Sequence, residues 1–255
     1  MILENVQVRN RKNFYTKNLE MDCPELCIDI DHYNNFKKEI VYSFNSRGFR
    51  DTEWPETNLD ECIWCFGDSA LVGLGNPHDE TWSAVLGKHR KTINISMLGS
   101  SPNWTARMAA DVLREIKPRC IVIQWTFIPR REEVDELSID GYRQLPFIES
   151  RDDIGPAADI RNLANCINTV NQANTHGACI IHSWNPEYCR IEYPAHSPYT
   201  NIVVKSLKHY HNIELEHAVL DNRQLDVSRD GYHYGVKTAE NYANNYLEII
   251  NQCLK

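Results

Sequence analysis

Ser69, Asp230 and His233 are the residues of this chain whose types and spacing could do chemistry together. Ser69 closes Ile63-Trp64-Cys65-Phe66-Gly67-Asp68-Ser69, an apolar, aromatic run that stops at a glycine and then offers a hydroxyl. A serine hydroxyl is a weak nucleophile at neutral pH. It needs a base within hydrogen-bond reach, and the base needs a group to orient it. Asp230-Gly231-Tyr232-His233 stands directly before a helical pattern, and an Asp and a His three apart on a loop can face one way. The carboxylate would fix the imidazole tautomer while the other ring nitrogen faces Ser69. On its own this stretch reads better as a turn into a helix with a capping Asp. Beside a Gly-Asp-Ser at a strand end, the triad becomes the better reading.

Such a site needs a strand that ends at Ser69. Ile63–Phe66 reads as a buried parallel strand, and in open α/β sheets ligands bind outside the carboxyl ends of the strands. Further strands are expected at Thr92–Ile95, Cys120–Ile123 (continuing to Trp125), Ala178–Ile181 and Glu214–Val219. Helices are expected from Thr81 or Asp79 through Leu86, over Trp104–Ile116, over Arg161–His176 and over Val236–Leu254. Strands alternating with helices imply a parallel sheet covered on both sides. Residues 129–157 carry Pro129, Gly141, Pro146, Gly155 and Pro156 and read as an excursion, either a lid or part of a substrate wall. Residues 1–55 read as a polar β-rich extension with short strands at Leu26–Ile30 and Glu39–Phe44, and residues 56–255 as the main domain.

A chain of 255 residues with 42% hydrophobic content suits one α/β domain with an appendage. A net charge of -8 and no basic block argue against nucleic acid as a partner. No apolar stretch approaches the ~20 residues a membrane helix needs. The N-terminus has no secretory apolar core, so a cytoplasmic location is expected, or assembly without a signal peptide, as in a virion component. The nine cysteines are scattered. Cys65, Cys120 and Cys179 read as small buried hydrophobes, and Cys62 and Cys65 on one strand point to opposite faces and cannot share a metal. All nine are read as free thiols, with no metal or organic cofactor. His209-Tyr210-His211 lacks a third ligand in register and reads as a solvated helix end. Arg130-Arg131-Glu132-Glu133 reads as a solvated charged face, although an Arg near the site could hold an anionic group of a substrate.

With those residues in view, the sequence resembles the SGNH (GDSL-type) hydrolases. Cys65-Phe66-Gly67-Asp68-Ser69 is similar to the first block of that family, with Leu74-Gly75-Asn76-Pro77-His78-Asp79-Glu80-Thr81-Trp82 as its continuation and Asn45-Ser46-Arg47-Gly48-Phe49-Arg50 as a lead-in. Asn94-Ile95-Ser96-Met97-Leu98-Gly99-Ser100 is similar to the second block, and Asp230-Gly231-Tyr232-His233 to the last. The resemblance implies a flavodoxin-like three-layer α/β/α fold with a central parallel sheet. It implies a triad of Ser69, His233 and Asp230, and an oxyanion hole from the N–H groups of Ser69 and Gly99. The third block departs: Thr126 stands where the family has Gly and Ile128 where it has the oxyanion-binding Asn. Thr126, Arg130 and Asn103 are the residues left to substitute. Trp125, Thr126, His182 and Trp184 lie at predicted strand ends and are candidate substrate-wall residues, with packed core positions as the rival reading. The function implied is ester hydrolysis, removing acetyl or other small acyl groups from a carbohydrate or small ester. Two rivals stand beside it: a binding or structural module that lost turnover, within a phage or surface-polysaccharide assembly, and an O-acyltransferase. The N-terminal extension offers a surface for an oligomer or larger assembly.

Overall fold

The computed structural model describes residues 15–17, 19, 22–134, 142–145, 156–184, 199–219 and 224–255. In chain order the elements are β1 (Tyr15–Thr16), α1 (Ile30–Asn35), β2 (Tyr42–Ser43), β3 (Ile63–Gly67), α2 (Ser69–Val72), α3 (Trp82–Gly87), β4 (Thr92–Ser96), α4 (Pro102–Glu115), β5 (Cys120–Trp125), β6 (Arg131–Val134), β7 (Tyr142–Leu145), α5 (Pro156–Ala173), β8 (Cys179–Trp184), α6 (Tyr199–His211), β9 (His217–Val219) and α7 (Val236–Cys253).

Five strands form one parallel sheet in the order β4-β3-β5-β8-β9. The strands are apolar on both faces because both faces are covered. On β3, Trp64 and Phe66 point into a core shared with residues of α4, α5 and α6. Ile63 and Cys65 point the other way, into a core shared with α3 and α7. The expected three-layer α/β/α architecture is therefore the observed one. Cys62 and Cys65 fall in the two different cores, as their spacing predicts. No helix of the described residues is long and apolar enough to cross a membrane.

The N-terminal extension differs from expectation in detail. Leu26–Ile30 forms no strand. Asp29 caps α1 instead, its carboxylate accepting from the N–H groups of Asp31 and His32. The strand expected over Glu39–Phe44 shrinks to β2, which pairs antiparallel with β1. Leu19, Ile40, Tyr42 and Phe44 make a small core with Leu74 of the main sheet's first loop. In the excursion, β6 and β7 form an antiparallel hairpin; residues 135–141 and 146–155 lie outside the described residues.

Arg50 ties the extension to the site. Its buried guanidinium donates from Nη1 to the carbonyls of Val72 and Gly73 at 2.9 and 2.6 Å, and from Nη2 to those of Val41 and Asn76 at 3.1 and 2.8 Å. It also lies over the Tyr42 ring, 4.3 Å from its centroid. Removing the guanidinium strands several buried carbonyls at once. Arg50→Met is expected to destabilise the fold by about 4 kcal/mol. Urea unfolding reads this directly, and a loss below about 1 kcal/mol would show that the carbonyls find water instead.

Candidate active site

β3 runs out at Gly67, Asp68 caps α2, and Ser69 is the first residue of that short helix. Asp68 Oδ1 accepts from the Ala70 N–H at 3.1 Å. The hydroxyl of Ser69 lies 2.8 Å from His233 Nε2, and His233 Nδ1 lies 2.6 Å from Asp230 Oδ2. All three side chains are buried. With Asp230 ionised, Nδ1 carries the ring proton and Nε2 is left to accept from Ser69.

The carboxylate of Asp230 is saturated with donors. Oδ1 accepts from Ser228 Oγ at 2.6 Å and from the N–H groups of Tyr232 and His233, each at 3.0 Å. Burial alone would raise this carboxyl. The hydrogen bond and charge of His233, with the bonds from Ser228 and the Tyr232 N–H, outweigh burial and hold it below the usual carboxylate range. Asp230 thus stays charged where the imidazole needs it.

The loop carrying Asp230 and His233 is braced from three sides. Gly75 approaches so closely that an added Cβ would sit 2.5 Å from Ser228 Oγ, and its positive φ of 77° itself favours glycine. Its carbonyl accepts from the Arg229 N–H at 3.0 Å. Asn76 donates to the Tyr234 carbonyl at 2.8 Å, and the Tyr234 hydroxyl donates to the Ala70 carbonyl at 2.7 Å. From the extension, Asp22 accepts two bonds from Arg229 at 3.1 and 2.6 Å, and the Ile28 N–H donates to the Asp230 carbonyl at 3.2 Å. The residues before Trp54 therefore help position the Ser-His pair.

The second loop is tied to the same strand end. The Met97 N–H and the Ser100 hydroxyl both donate to the Gly67 carbonyl at 3.3 Å. Gly99 sits between them at φ 70°, and a Cβ there would point into open space. In the third loop, Ile128 is buried in the core beside β5 and offers no donor. Asn103 is engaged with Asn162 of α5 in both directions, at 3.0 and 3.2 Å. Thr126 donates to Asp68 Oδ2 at 2.6 Å. Arg130, read both as part of a solvated face and as a residue that could reach in, is turned inward with 14% of its side chain exposed. Its Nη1 reaches Asp68 Oδ2 at 2.9 Å, Thr126 Oγ1 at 2.8 Å and the Ser100 carbonyl at 3.3 Å. One guanidinium thus touches all three loops around Ser69. Its partner Asp68 is far off in sequence, so no spacing could have singled it out.

Trp125, His182 and Trp184 are packed in the core rather than lining an open wall. The His182 ring lies between the two indoles, 6.0 Å from Trp125 and 6.4 Å from Trp184, and Trp125 Nε1 donates to His182 Nδ1 at 3.1 Å. Burial, with a smaller effect of His217, lowers the His182 pKa from 6.5 to about 3. Between those values the unfolded chain holds a proton that the folded chain refuses. Stability is therefore expected to fall as pH drops through this window, by ~1.4 kcal/mol per pH unit from this residue. Urea midpoints at several pH values should show that slope in the wild type and a shallower one in His182→Gln; parallel curves would remove His182 from the account.

In fold, the chain is similar to a carbohydrate esterase family 2 enzyme with a carbohydrate-binding domain from Corynascus thermopiles (Myceliophthora fergusii), at 13% identity, covering 84% of this chain and 71% of that one with a TM-score of 0.51. It is also similar to the esterase EstA from Pseudoalteromonas sp., at 17% identity over 76% of this chain and 99% of that one, TM-score 0.49. A family two carbohydrate esterase from Clostridium thermocellum, in complex with cellohexaose, is similar at 14% identity over 79% and 67%, TM-score 0.47. No family model and no curated protein matches the sequence. The chain shares the three-layer α/β/α fold of the Corynascus enzyme.

Proposed function

We propose that the chain is a serine ester hydrolase of SGNH type that removes acetyl or other small acyl groups from a carbohydrate or small ester. The observation that carries this reading is the continuous relay Ser69–His233–Asp230, with contacts of 2.8 and 2.6 Å, at the carboxyl end of the sheet. In this mechanism His233 takes the Ser69 proton and the alkoxide attacks the ester carbonyl. The N–H groups of Ser69 and Gly99 hold the oxyanion. The Ser69 N–H opens a helical turn, where no intrahelical acceptor exists. His233 then protonates the leaving alcohol, and water repeats the cycle on the acyl-enzyme. Arg130 takes the side-chain part of the oxyanion site that Ile128 cannot fill. The substrate class draws on the carbohydrate esterase with the similar fold.

Labelling with a fluorophosphonate probe tests the reading without knowledge of the substrate. Wild type is expected to label stoichiometrically, and Ser69→Ala and His233→Ala not at all. A folded wild-type chain that stays unlabelled would favour the binding-module reading. A screen of acetylated sugars with labelled-competent enzyme then tests the substrate class.

A further inference from the structure

At the opposite end of the sheet from Ser69, four chain segments bring soft donors together. Cys120, Cys179 and His217 are the first residues of β5, β8 and β9, and Cys253 is the last of α7. The donor atoms of Cys179, His217 and Cys253 all lie within 4.8 Å of one another. Cys253 Sγ and His217 Nε2 are 3.2 Å apart. Cys179 stands in register beside Cys120 of the neighbouring strand β5. Cys179, His217 and Cys253 are each partly accessible, so an ion has a path in; Cys120 is fully buried behind them. Glu216 stands at the solvent side, its Oε1 3.6 Å from His217 Nε2.

We propose that Cys179, His217 and Cys253 bind a zinc ion that clamps the end of α7 to the base of the sheet. Two thiolates and an imidazole are a donor set suited to zinc, and tetrahedral bonds of ~2.3 Å to sulfur and ~2.1 Å to nitrogen put such donors about 3.6–3.8 Å apart. Shifts of under about 1 Å reach that arrangement. On binding, each thiol gives its proton to solvent and the resulting thiolate bonds the metal, while neutral His217 donates through Nε2. The fourth position faces solvent beside Glu216, for its carboxylate or a water. Cys120, fully buried, lies outside the cluster. The site is structural: α7 follows directly on His233 at its other end, so fastening its last turn steadies the helix behind the candidate triad.

The full-length chain, reduced and stripped of metal, is titrated with Co²⁺ and then Zn²⁺. One equivalent of Co²⁺ is expected to give a thiolate-to-metal charge-transfer band, which Zn²⁺ abolishes. Cys253→Ser and His217→Gln, both at partly exposed positions, are expected to bind at least about tenfold more weakly, whereas Cys120→Ser keeps the band at full intensity. Zn²⁺ is expected to raise the Tm of wild type and not that of Cys253→Ser. Fluorophosphonate labelling of Ser69 is read alongside, so loss of metal and loss of the hydrolase are separate results. A folded wild type with no charge-transfer band overturns the proposal. So does unchanged affinity in both variants, or a Cys179–Cys253 disulfide in the protein as purified.

Discussion

Asp230→Asn is expected to lower the turnover of ester substrates by about 10⁴-fold while leaving the fold intact. The reason lies in which atoms carry protons. In the wild type, Asp230 Oδ2 accepts from His233 Nδ1 at 2.6 Å, which leaves Nε2 free to accept from Ser69. The other oxygen, Oδ1, is committed to Ser228 Oγ and two backbone N–H groups at 2.6 to 3.0 Å. An asparagine must keep its carbonyl oxygen on those three donors, so its NH₂ group faces Nδ1. Nδ1 is then forced to accept, the ring proton moves to Nε2, and the imidazole can no longer take the Ser69 proton. Geometry survives and chemistry fails. His233→Ala removes the base altogether and is expected to cost 10⁴- to 10⁶-fold. The two variants together separate catalysis from capping. If Asp230 merely closed a turn ahead of α7, Asp230→Asn would reduce stability and leave kcat per folded molecule within about tenfold of wild type. The measurement is kcat on a chromogenic acetyl ester, with the fraction folded taken from circular dichroism.

The parts of the fold that were legible in the sequence are those where local pattern and tertiary burial agree. β3, β5 and β8 open on apolar runs because helices cover both faces, and Ser69, Asp230 and His233 stood out because each half of that set sits in a short contiguous stretch. The extension was misread for a physical reason. Leu26, Ile28 and Ile30 alternate like a half-buried strand, yet they are 64%, 69% and 47% exposed. The capping carboxylate of Asp29 starts a helix there instead. Trp125, His182 and Trp184 were placed near the crevice because they end strands. Strand ends say nothing about facing, and the period of two turns all three onto the face that α4, α5 and α6 cover. The Cys179–His217–Cys253 cluster was invisible for the opposite reason. Each ligand comes from a different element, and only the sheet register and the path of α7 bring them together.

Arg130 shows the same limit at the heart of the site, and its removal is the second large effect expected. The proposed oxyanion site lacks a side-chain donor at Ile128, which is aliphatic and buried. Losing one such donor typically costs 10²- to 10³-fold in kcat. Among the described residues, the side-chain hydrogen bonds of Arg130 all run through Nη1, to Asp68, Thr126 and the Ser100 carbonyl. The guanidinium is also seated over the Phe127 ring, 4.5 Å from its centroid. Asp68 is fully buried, so its partner cannot swing away without leaving a charge unpaired. This arrangement holds the guanidinium on Asp68, which precedes Ser69, and against the loop that carries Gly99. In the proposed reaction, negative charge developing on the substrate carbonyl between those loops would meet the guanidinium, whose charge is shared with Asp68. Arg130→Met is therefore expected to lower kcat by 10²- to 10³-fold with KM changed only a few-fold, since the charge it opposes exists in the transition state and not in the bound ester. Arg130→Lys should recover part of the rate, because a point charge survives although the forked geometry does not. Thr126→Val, which removes a donor to Asp68 but leaves the cation, should cost stability more than rate. A different split would reassign the residue. If Arg130→Met raised KM for anionic esters and spared kcat on neutral ones, the guanidinium would be gripping a carboxylate or sulfate of the substrate, and the oxyanion would rest on the Ser69 and Gly99 N–H groups alone.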